Sequence, residues 1–390
     1  MISQKARILF ITHDANRAGA QLFLVNIMKE MKRKGYFVGI LMIRPWGGLK
    51  EDFIEAASAV YELPSQVPSL KRWLGKKLPG FQFEYLKELA SNHDFDLIYA
   101  NTIATGEIAV QVKKLLGVPL ITHIHELRHS LELYTKEEER KALLFGSDHI
   151  IACSDAVAAN LKEYDFVRQE ILSTIHSFVD NEAMLQVFKD SDKTQTKKDF
   201  SLPTDKILIG ACGNSEWRKG MDLFVNLAAR SLKEDLQHFH FLWIGVRTDG
   251  DEYTEKIKKE LLNQGIDNIT LIPQTPLAKD LINALDIFVV SSREDPFPLV
   301  MLEAALCAKP ILGFENTGGC TEFVKDNCGW LAPFEDTEAL FELLKKMAAS
   351  QDQREKLGMQ GQQTVLTKYG FDQSFLKIEE LLLAKLPAKA

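Results

Sequence analysis

Short apolar runs alternate along most of the chain with stretches in which apolar residues recur at helical spacing. The runs predict buried parallel strands at residues 7–14, 37–43, 96–100, 119–124, 206–213, 239–245, 269–273, 286–290 and 310–314. Helices are predicted between them, as where Leu24, Ile27, Met28 and Met31 keep the helical period after the first strand. This alternation predicts an α/β fold with parallel sheets.

The length of the chain predicts two domains. A chain of 390 residues exceeds one ordinary core and suits two Rossmann-like domains, which we place at residues 1–180 and 181–371. Polar sequence from Lys189 to Asp205 has neither a helical nor a strand period, so we expect an irregular connection between domains there. A final helix is predicted over about residues 373–386.

Composition narrows the class of protein. Apolar residues make up 46% of the chain and charged residues 26%, as in globular enzymes. The net charge of −7 argues against nucleic acid as the main partner. The five cysteines include no C-x-x-C pair and are expected to be reduced thiols. No apolar run approaches the roughly 18 residues of a membrane span, and the first strand is too short for a signal peptide, so we expect a cytoplasmic protein.

The stretch at residues 291–306 carries the strongest candidate chemistry. Asp295 lies in a predicted strand-to-helix loop, and Glu303 lies about one and a half turns into the helix, whose first turn contains Pro298. Two carboxylates beside a helix N-terminus can bind a ligand that is both anionic and rich in hydroxyls. The alternative is a surface helix with Glu303 in a structural ion pair.

Two other loops follow predicted strands and could contact a ligand. Arg218 and Lys219 stand at a strand-helix junction, where cations suit a diphosphate. The loop at residues 16–21 contains Gly19 and Ala20, whose small size lets the backbone approach a ligand. Either loop could instead be a plain surface turn.

His125, Glu126 and His129 fit the H-E-x-x-H pattern of zinc hydrolases. The match begins directly at a strand end, and no third ligand is evident. The position favours another reading, because His125 lies where ligands gather in open α/β sheets. Both histidines could also be structural.

A basic segment at residues 71–77 contains Lys71, Arg72, Lys76 and Lys77 around Trp73. Such a segment can lie on an anionic membrane surface. The alternative is a solvated helix with a basic face.

The acidic stretch resembles the signature of retaining family-4 glycosyltransferases with the GT-B fold. In that family an acid, seven residues and a Glu open a helix, and Asp295 and Glu303 have this spacing. Asp-Pro-Phe-Pro stands where Glu-Gly-Phe-Gly is usual, so Glu294 could replace Asp295 as the first acid. Lys219 matches the family's Lys-Gly, whereas Asn214 replaces the usual Arg, so Arg218 could supply the second positive charge.

The resemblance implies two Rossmann-like domains that face a cleft, with the C-terminal helix, about 372–390, crossing back to the first domain. It implies transfer of a sugar from a nucleoside diphosphate donor, UDP- or GDP-linked, with retention, to a glycan or lipid-linked acceptor. Envelope or extracellular polysaccharide synthesis is the expected setting. No cofactor or bound metal is expected. If the basic segment lies on a membrane surface, the protein is expected at the inner face of the membrane.

The same resemblance implies the roles of single residues. His125 would contact the transferred sugar or position the acceptor, and Lys219 and Arg218 would neutralise the leaving diphosphate. Asp295 or Glu294 would bind sugar hydroxyls and Glu303 the ribose. The remaining donor-binding residues would be Gly19, Ala20, Asn214, Gln274, Thr275, Phe297, Leu299 and Val300. Two alternatives stay open: a nucleotide-sugar-binding protein without catalysis, and a zinc hydrolase using His125, Glu126 and His129.

Overall fold

The computed structural model describes residues 5–64, 81–325 and 327–387. The chain divides into two compact units, one of Met1–Ser177 with Ser374–Ala390 and one of Phe178–Gln373. The basic segment at residues 71–77 lies outside the described residues, so the membrane contact expected there stays a prediction.

The first unit contains a parallel sheet. Its strands are β1 (Arg7–Asp14), β2 (Phe37–Arg44), β3 (Ala59–Glu62), β4 (Leu97–Asn101), β5 (Leu120–Ile124), β6 (His149–Ala152) and β7 (Leu172–Thr174). They are arranged in the order β3-β2-β1-β4-β5-β6-β7, with Ile8 of β1 beside Leu97 of β4. The direction of strand order therefore reverses between β1 and β4, which creates a crevice at their carboxyl ends.

The second unit repeats this arrangement. Its strands are β8 (Ile207–Cys212), β9 (Phe239–Val246), β10 (Ile269–Pro273), β11 (Ile287–Val290), β12 (Ile311–Phe314) and β13 (Gly329–Ala332), in the order β10-β9-β8-β11-β12-β13. All are parallel, and the order reverses between β8 and β11. Each unit thus has its own crevice of the kind that binds ligands in open α/β sheets.

Helices connect the strands. Those of the first unit are α1 (Gly19–Arg33), α2 (Lys50–Ala56), α3 (Phe81–Asn92), α4 (Gly106–Leu116), α5 (Arg128–Tyr134), α6 (Glu137–Gly146) and α7 (Asp155–Lys162). Those of the second are α8 (Asn181–Asp190), α9 (Lys193–Asp199), α10 (Met221–Lys233), α11 (Glu252–Gln264), α12 (Ala278–Ala284), α13 (Leu299–Leu306), α14 (Gly319–Val324), α15 (Thr337–Ala348) and α16 (Gln351–Lys368). The last helix, α17 (Phe371–Lys385), contributes Glu379 to the first unit, where it accepts hydrogen bonds from Lys34 and Tyr36.

Aromatic packing fixes the loop after β8 in the second unit. Trp243 on β9 is fully buried and makes an edge contact with Phe224 of α10, with 5.6 Å between ring centroids. Its indole Nε1 donates to the carbonyl of Gly213 at 3.0 Å. A buried indole needs such a partner, so the core itself holds the first residue of the loop.

Three sequence-based expectations are corrected here. The segment from Lys189 to Asp205 is not irregular, because it contains the end of α8 and all of α9. Asp192 caps α9 by accepting from the amides of Thr194 and Gln195, and a short capped helix shows little apolar period. The predicted loop at 16–21 is shorter, since α1 begins at Gly19. Pro298 is the N-cap of α13 and precedes its first turn.

No disulfide joins the five cysteines, all of which are described. Within the described residues, the helices include none long and apolar enough to cross a membrane.

Candidate active site

The loops after β8 and β11 meet at the crevice of the second unit. The amide of Arg293 donates to the carbonyl of Arg218 at 2.8 Å, and Ser291 Oγ donates to the carbonyl of Lys219 at 3.1 Å. The cationic and acidic loops singled out in the sequence are therefore in direct contact. Parallel pairing of β11 with β8 places both loops at the same edge of the sheet.

Lys219 and Asp295 form an ion pair at this edge. Lys219 Nζ donates to Asp295 Oδ2, and their side chains are only 15% and 7% exposed. The amide of Asp295 donates to the carbonyl of Thr317 at 2.8 Å, which fixes its backbone. Because the pair is poorly solvated, the loss of either partner would leave an uncompensated buried charge.

Gly220 permits this close approach of the two loops. Its φ is +67°, and a Cβ added there would lie 2.0 Å from the carbonyl oxygen of Ser291. Any other residue would have to adopt a left-handed backbone and also push Ser291 away. Gly220 therefore allows α10 to start where Lys219 can reach Asp295.

The second predicted cation is partly neutralised. Arg218 Nε lies 3.2 Å from Glu216 Oε2, and Asn214, in place of the usual Arg, accepts from Gln274 Nε2 at 2.8 Å. Asn214 thus joins the loop after β8 to the loop after β10 and carries no charge. Thr275, next in that loop, accepts through Oγ1 from the amide of Leu277 at 3.2 Å. Of the two predicted cations, Lys219 is therefore the one that pairs with Asp295 of the acidic loop.

A small pocket, partly open to solvent, lies at the carboxyl ends of β8 and β11. Its lining includes Cys212, Lys219, Ser291, Ser292, Asp295 and Val300. Leu299 and Val300 form the first turn of α13, which has no side-chain cap, so their amides suit an anion. The pocket therefore combines a cation, a carboxylate and a helix N-terminus.

The two other acids of the stretch, Glu303 and Glu294, also lie near the pocket. Burial and the nearby charge of Glu303 raise the pKa of the Cys212 thiol to about 12, which places Glu303 close to a pocket residue. Glu294 donates through its amide to the carbonyl of Arg218 at 3.3 Å. Phe297 is buried against Tyr369, with 5.3 Å between ring centroids, so its ring belongs to the packing around the pocket.

Arg293 was missed by the sequence reasoning, although it stands beside Glu294. Its guanidinium donates to both carboxylate oxygens of Asp222, at 2.8 and 2.7 Å, and to the carbonyl of Trp217 at 2.9 Å. It also pairs with Glu335 and packs over the Trp217 ring. The bonds to Asp222, although opposed by burial, raise the pKa of Arg293. Arg293 therefore fastens the acidic loop to the start of α10.

A second polar cluster lies in the first unit, at the carboxyl ends of β1 and β4. Thr102 Oγ1 lies 2.9 Å from His13 Nδ1, and Gln21 Nε2 donates to Asp14 Oδ1 at 2.7 Å. Thr102 has a φ of +80°, which is strained for a β-branched residue. The one sequence signal for this cluster is that its residues stand at the carboxyl ends of predicted strands. Gly19 and Ala20 lie beside it in the first turn of α1.

The H-E-x-x-H match does not form a zinc site. Helix α5 begins at Arg128, so His125 and Glu126 precede it and the two histidines do not share a helical face. The Glu126 carboxylate instead accepts from the amide of His125 at 2.9 Å and from that of Ile103 at 3.3 Å. The zinc-hydrolase alternative is therefore wrong in its geometry.

Several solved structures share this fold. HepE of Anabaena in complex with UDP-glucose has a TM-score of 0.81 at 19% identity, with 97% of this chain and 99% of that one covered. WaaG, a glycosyltransferase involved in lipopolysaccharide biosynthesis, has a TM-score of 0.75 at 14% identity, with 96% and 99% covered. The fold is accordingly that of the GT-B glycosyltransferases.

Two family models match the sequence: glycosyl transferases group 1 over residues 192–364, and glycosyltransferase family 4 over residues 17–183. The chain belongs to the family-4 glycosyltransferases.

Among curated relatives, a D-inositol 3-phosphate glycosyltransferase of Catenulispora acidiphila is 27% identical over 63% of this chain, which spans 60% of that relative. The O-antigen biosynthesis glycosyltransferase WclY of Escherichia coli is 22% identical, over 78% of this chain and 79% of that protein.

Proposed function

We propose that the protein transfers a sugar from a UDP-sugar to a hydroxyl of a glycan or lipid-linked acceptor, with retention at the anomeric carbon. The observation that carries this proposal is the Lys219–Asp295 pair at an open pocket beside the uncapped start of α13. The HepE complex with UDP-glucose supports uridine over guanosine as the base.

Each group of the pocket has a part in this reaction. Lys219 and the first-turn amides of α13 stabilise negative charge on the leaving diphosphate. Asp295 accepts hydrogen bonds from sugar hydroxyls once Lys219 turns to the phosphate, and Glu303 accepts from the ribose. The leaving phosphate takes the proton of the acceptor, so the reaction needs neither a separate base nor a bound metal.

The names of similar proteins support a role in the synthesis of cell-envelope glycans. WclY and WaaG carry names from O-antigen and lipopolysaccharide synthesis, which supports a glycan or lipid-linked acceptor in the cell envelope. Residues 71–77 would bring the protein to the membrane face where such acceptors lie.

The test is a transfer assay with UDP-, GDP- and ADP-sugars against a panel of glycan and lipid-linked acceptors. We expect UDP release and a product whose anomeric configuration, read from proton coupling constants, matches that of the donor. Lys219→Met serves as the inactive control. An inverted product would overturn retention, and a donor that binds without release would favour the non-catalytic alternative. Loss of transfer on treatment with EDTA would overturn the metal-free reaction.

A further inference from the structure

Asn101 joins two loops of the first unit. It is the last residue of β4, and its side chain is fully buried. Its Nδ2 donates to the carbonyl of Ala20 at 3.0 Å, and its Oδ1 lies 3.0 Å from His125 Nε2. Both ends of the amide are thus occupied, which leaves it one orientation.

This orientation decides where His125 carries its proton. A carbonyl oxygen only accepts, so Asn101 turns its NH₂ group to Ala20 and its oxygen to the ring. His125 must therefore donate from Nε2. Burial lowers the pKa of His125 to about 3, so the ring is neutral near pH 7 and its lone pair is on Nδ1.

The ring is also held in place by its neighbours. It stacks on His123 with 4.1 Å between centroids, and Phe23 meets it edge-on at 5.2 Å. His125 nevertheless keeps partial exposure, whereas Asn101 and His123 are fully buried. Of these three residues, His125 is therefore the one that solvent reaches.

We propose that Asn101 is a positioning residue that fixes His125 as a hydrogen-bond acceptor, through Nδ1, for a sugar hydroxyl. The inference rests on the proposed function. An imidazole lone pair accepts from a hydroxyl but repels a phosphate oxygen, so it selects for sugar. The hydroxyl belongs either to the transferred sugar or to the acceptor glycan, which share this chemistry.

The first experiment needs no enzymatic activity. Long-range ¹H–¹⁵N spectra of histidine-labelled protein, with His125 assigned through His125→Gln, should show a protonated Nε2 and a bare Nδ1 between pH 6 and 8. A proton on Nδ1 would overturn the proposal. In Asn101→Ala the ring should populate both tautomers, because the acceptor that selects one is gone.

The second experiment separates the two sources of the hydroxyl. If the transferred sugar is bound, Asn101→Ala should weaken UDP-sugar binding about fivefold, the effect of one neutral hydrogen bond, and leave UDP binding unchanged. If the acceptor is bound, its KM should rise about fivefold instead. Asn268→Ala is the matched control, since it removes another buried amide, which donates to Ala228 and Ser231.

A changed tautomer with unchanged binding of donor and acceptor would overturn the role for sugar. The absence of transfer with any donor would defeat the proposed function instead, while the spectrum would still decide whether Asn101 sets the tautomer.

Discussion

Lys219 donates to Asp295 across 76 positions of sequence, and both side chains are nearly excluded from solvent. The pair connects the loop after β8 to the loop after β11. In this pair the Lys219 ammonium binds a carboxylate, although a bound diphosphate would need the same ammonium. Donor binding therefore involves an exchange, in which Lys219 leaves a carboxylate for a phosphate.

Replacement of this lysine tests the exchange directly. Lys219→Met should lower turnover by about 10²- to 10³-fold, because a cation facing the developing charge is lost. It should also lower the free energy of unfolding by about 3 kcal/mol, since Asp295 stays buried without its partner. Steady-state kinetics and urea unfolding measure the two effects. Lys259→Met, at an exposed position of α11, should change neither; equal losses in both variants would remove Lys219 from the mechanism.

Replacement of the acid should separate binding from turnover. Asp295→Asn removes the charge that competes with phosphate for Lys219, so we expect UDP to bind about three- to tenfold more tightly by calorimetry. Turnover should fall about tenfold, because a carboxylate that accepts from sugar hydroxyls is lost. Glu294→Gln, the neighbouring acid, should do neither. If Glu294→Gln alone impairs turnover, Glu294 is the first acid of the site.

A glycine substitution measures how tightly the two loops pack. Gly220→Ala should destabilise the protein by about 3 kcal/mol, because a left-handed backbone is strained and the new Cβ meets Ser291. Gly265→Ala is the matched control, with a φ of +63° and no atom within 4 Å of an added Cβ. Thermal and urea unfolding should show only about 1 kcal/mol for the control. Equal losses would mean that the loops can separate at little cost.

Buried histidine should make stability depend on pH. An unfolded histidine binds a proton near pH 6.5, whereas burial holds the pKa of His125 at about 3. Between these values the unfolded state binds more protons, so the free energy of unfolding falls as the pH decreases, by about 1.4 kcal/mol per unit for this residue. His125→Gln should make the slope of unfolding free energy against pH shallower by that amount between pH 6 and 4.

The control for this measurement is His129→Gln, at an exposed position. It should leave the slope of the wild-type protein. The Glu126 carboxylate accepts from the backbone amide of residue 125, and His125→Gln keeps that amide. An unchanged slope in His125→Gln would mean that the ring is protonated in the folded protein.

The sequence by itself determined the strands that are uniformly apolar, such as β11 and β12, because strands buried on both faces leave a continuous run of β-branched residues. It also determined the family, the loops after β8 and β11, and the position of Lys219 and Asp295 within them. It gave no signal for β3, which is half exposed, or for β7, which has three residues. Helix α9 was not predicted because it is short and its buried residue, Thr196, is polar, so the segment has no apolar period.

Only the tertiary structure decided which side chains meet. The reversal of strand order between β8 and β11 brings Lys219 to Asp295 and Arg293 to Asp222, and the reversal between β1 and β4 brings Thr102 to His13. Residues such as Asn101 look like ordinary strand ends until their neighbours are known. Periodicity along a chain reports which residues are buried, whereas partners are set by the pairing of strands distant in sequence.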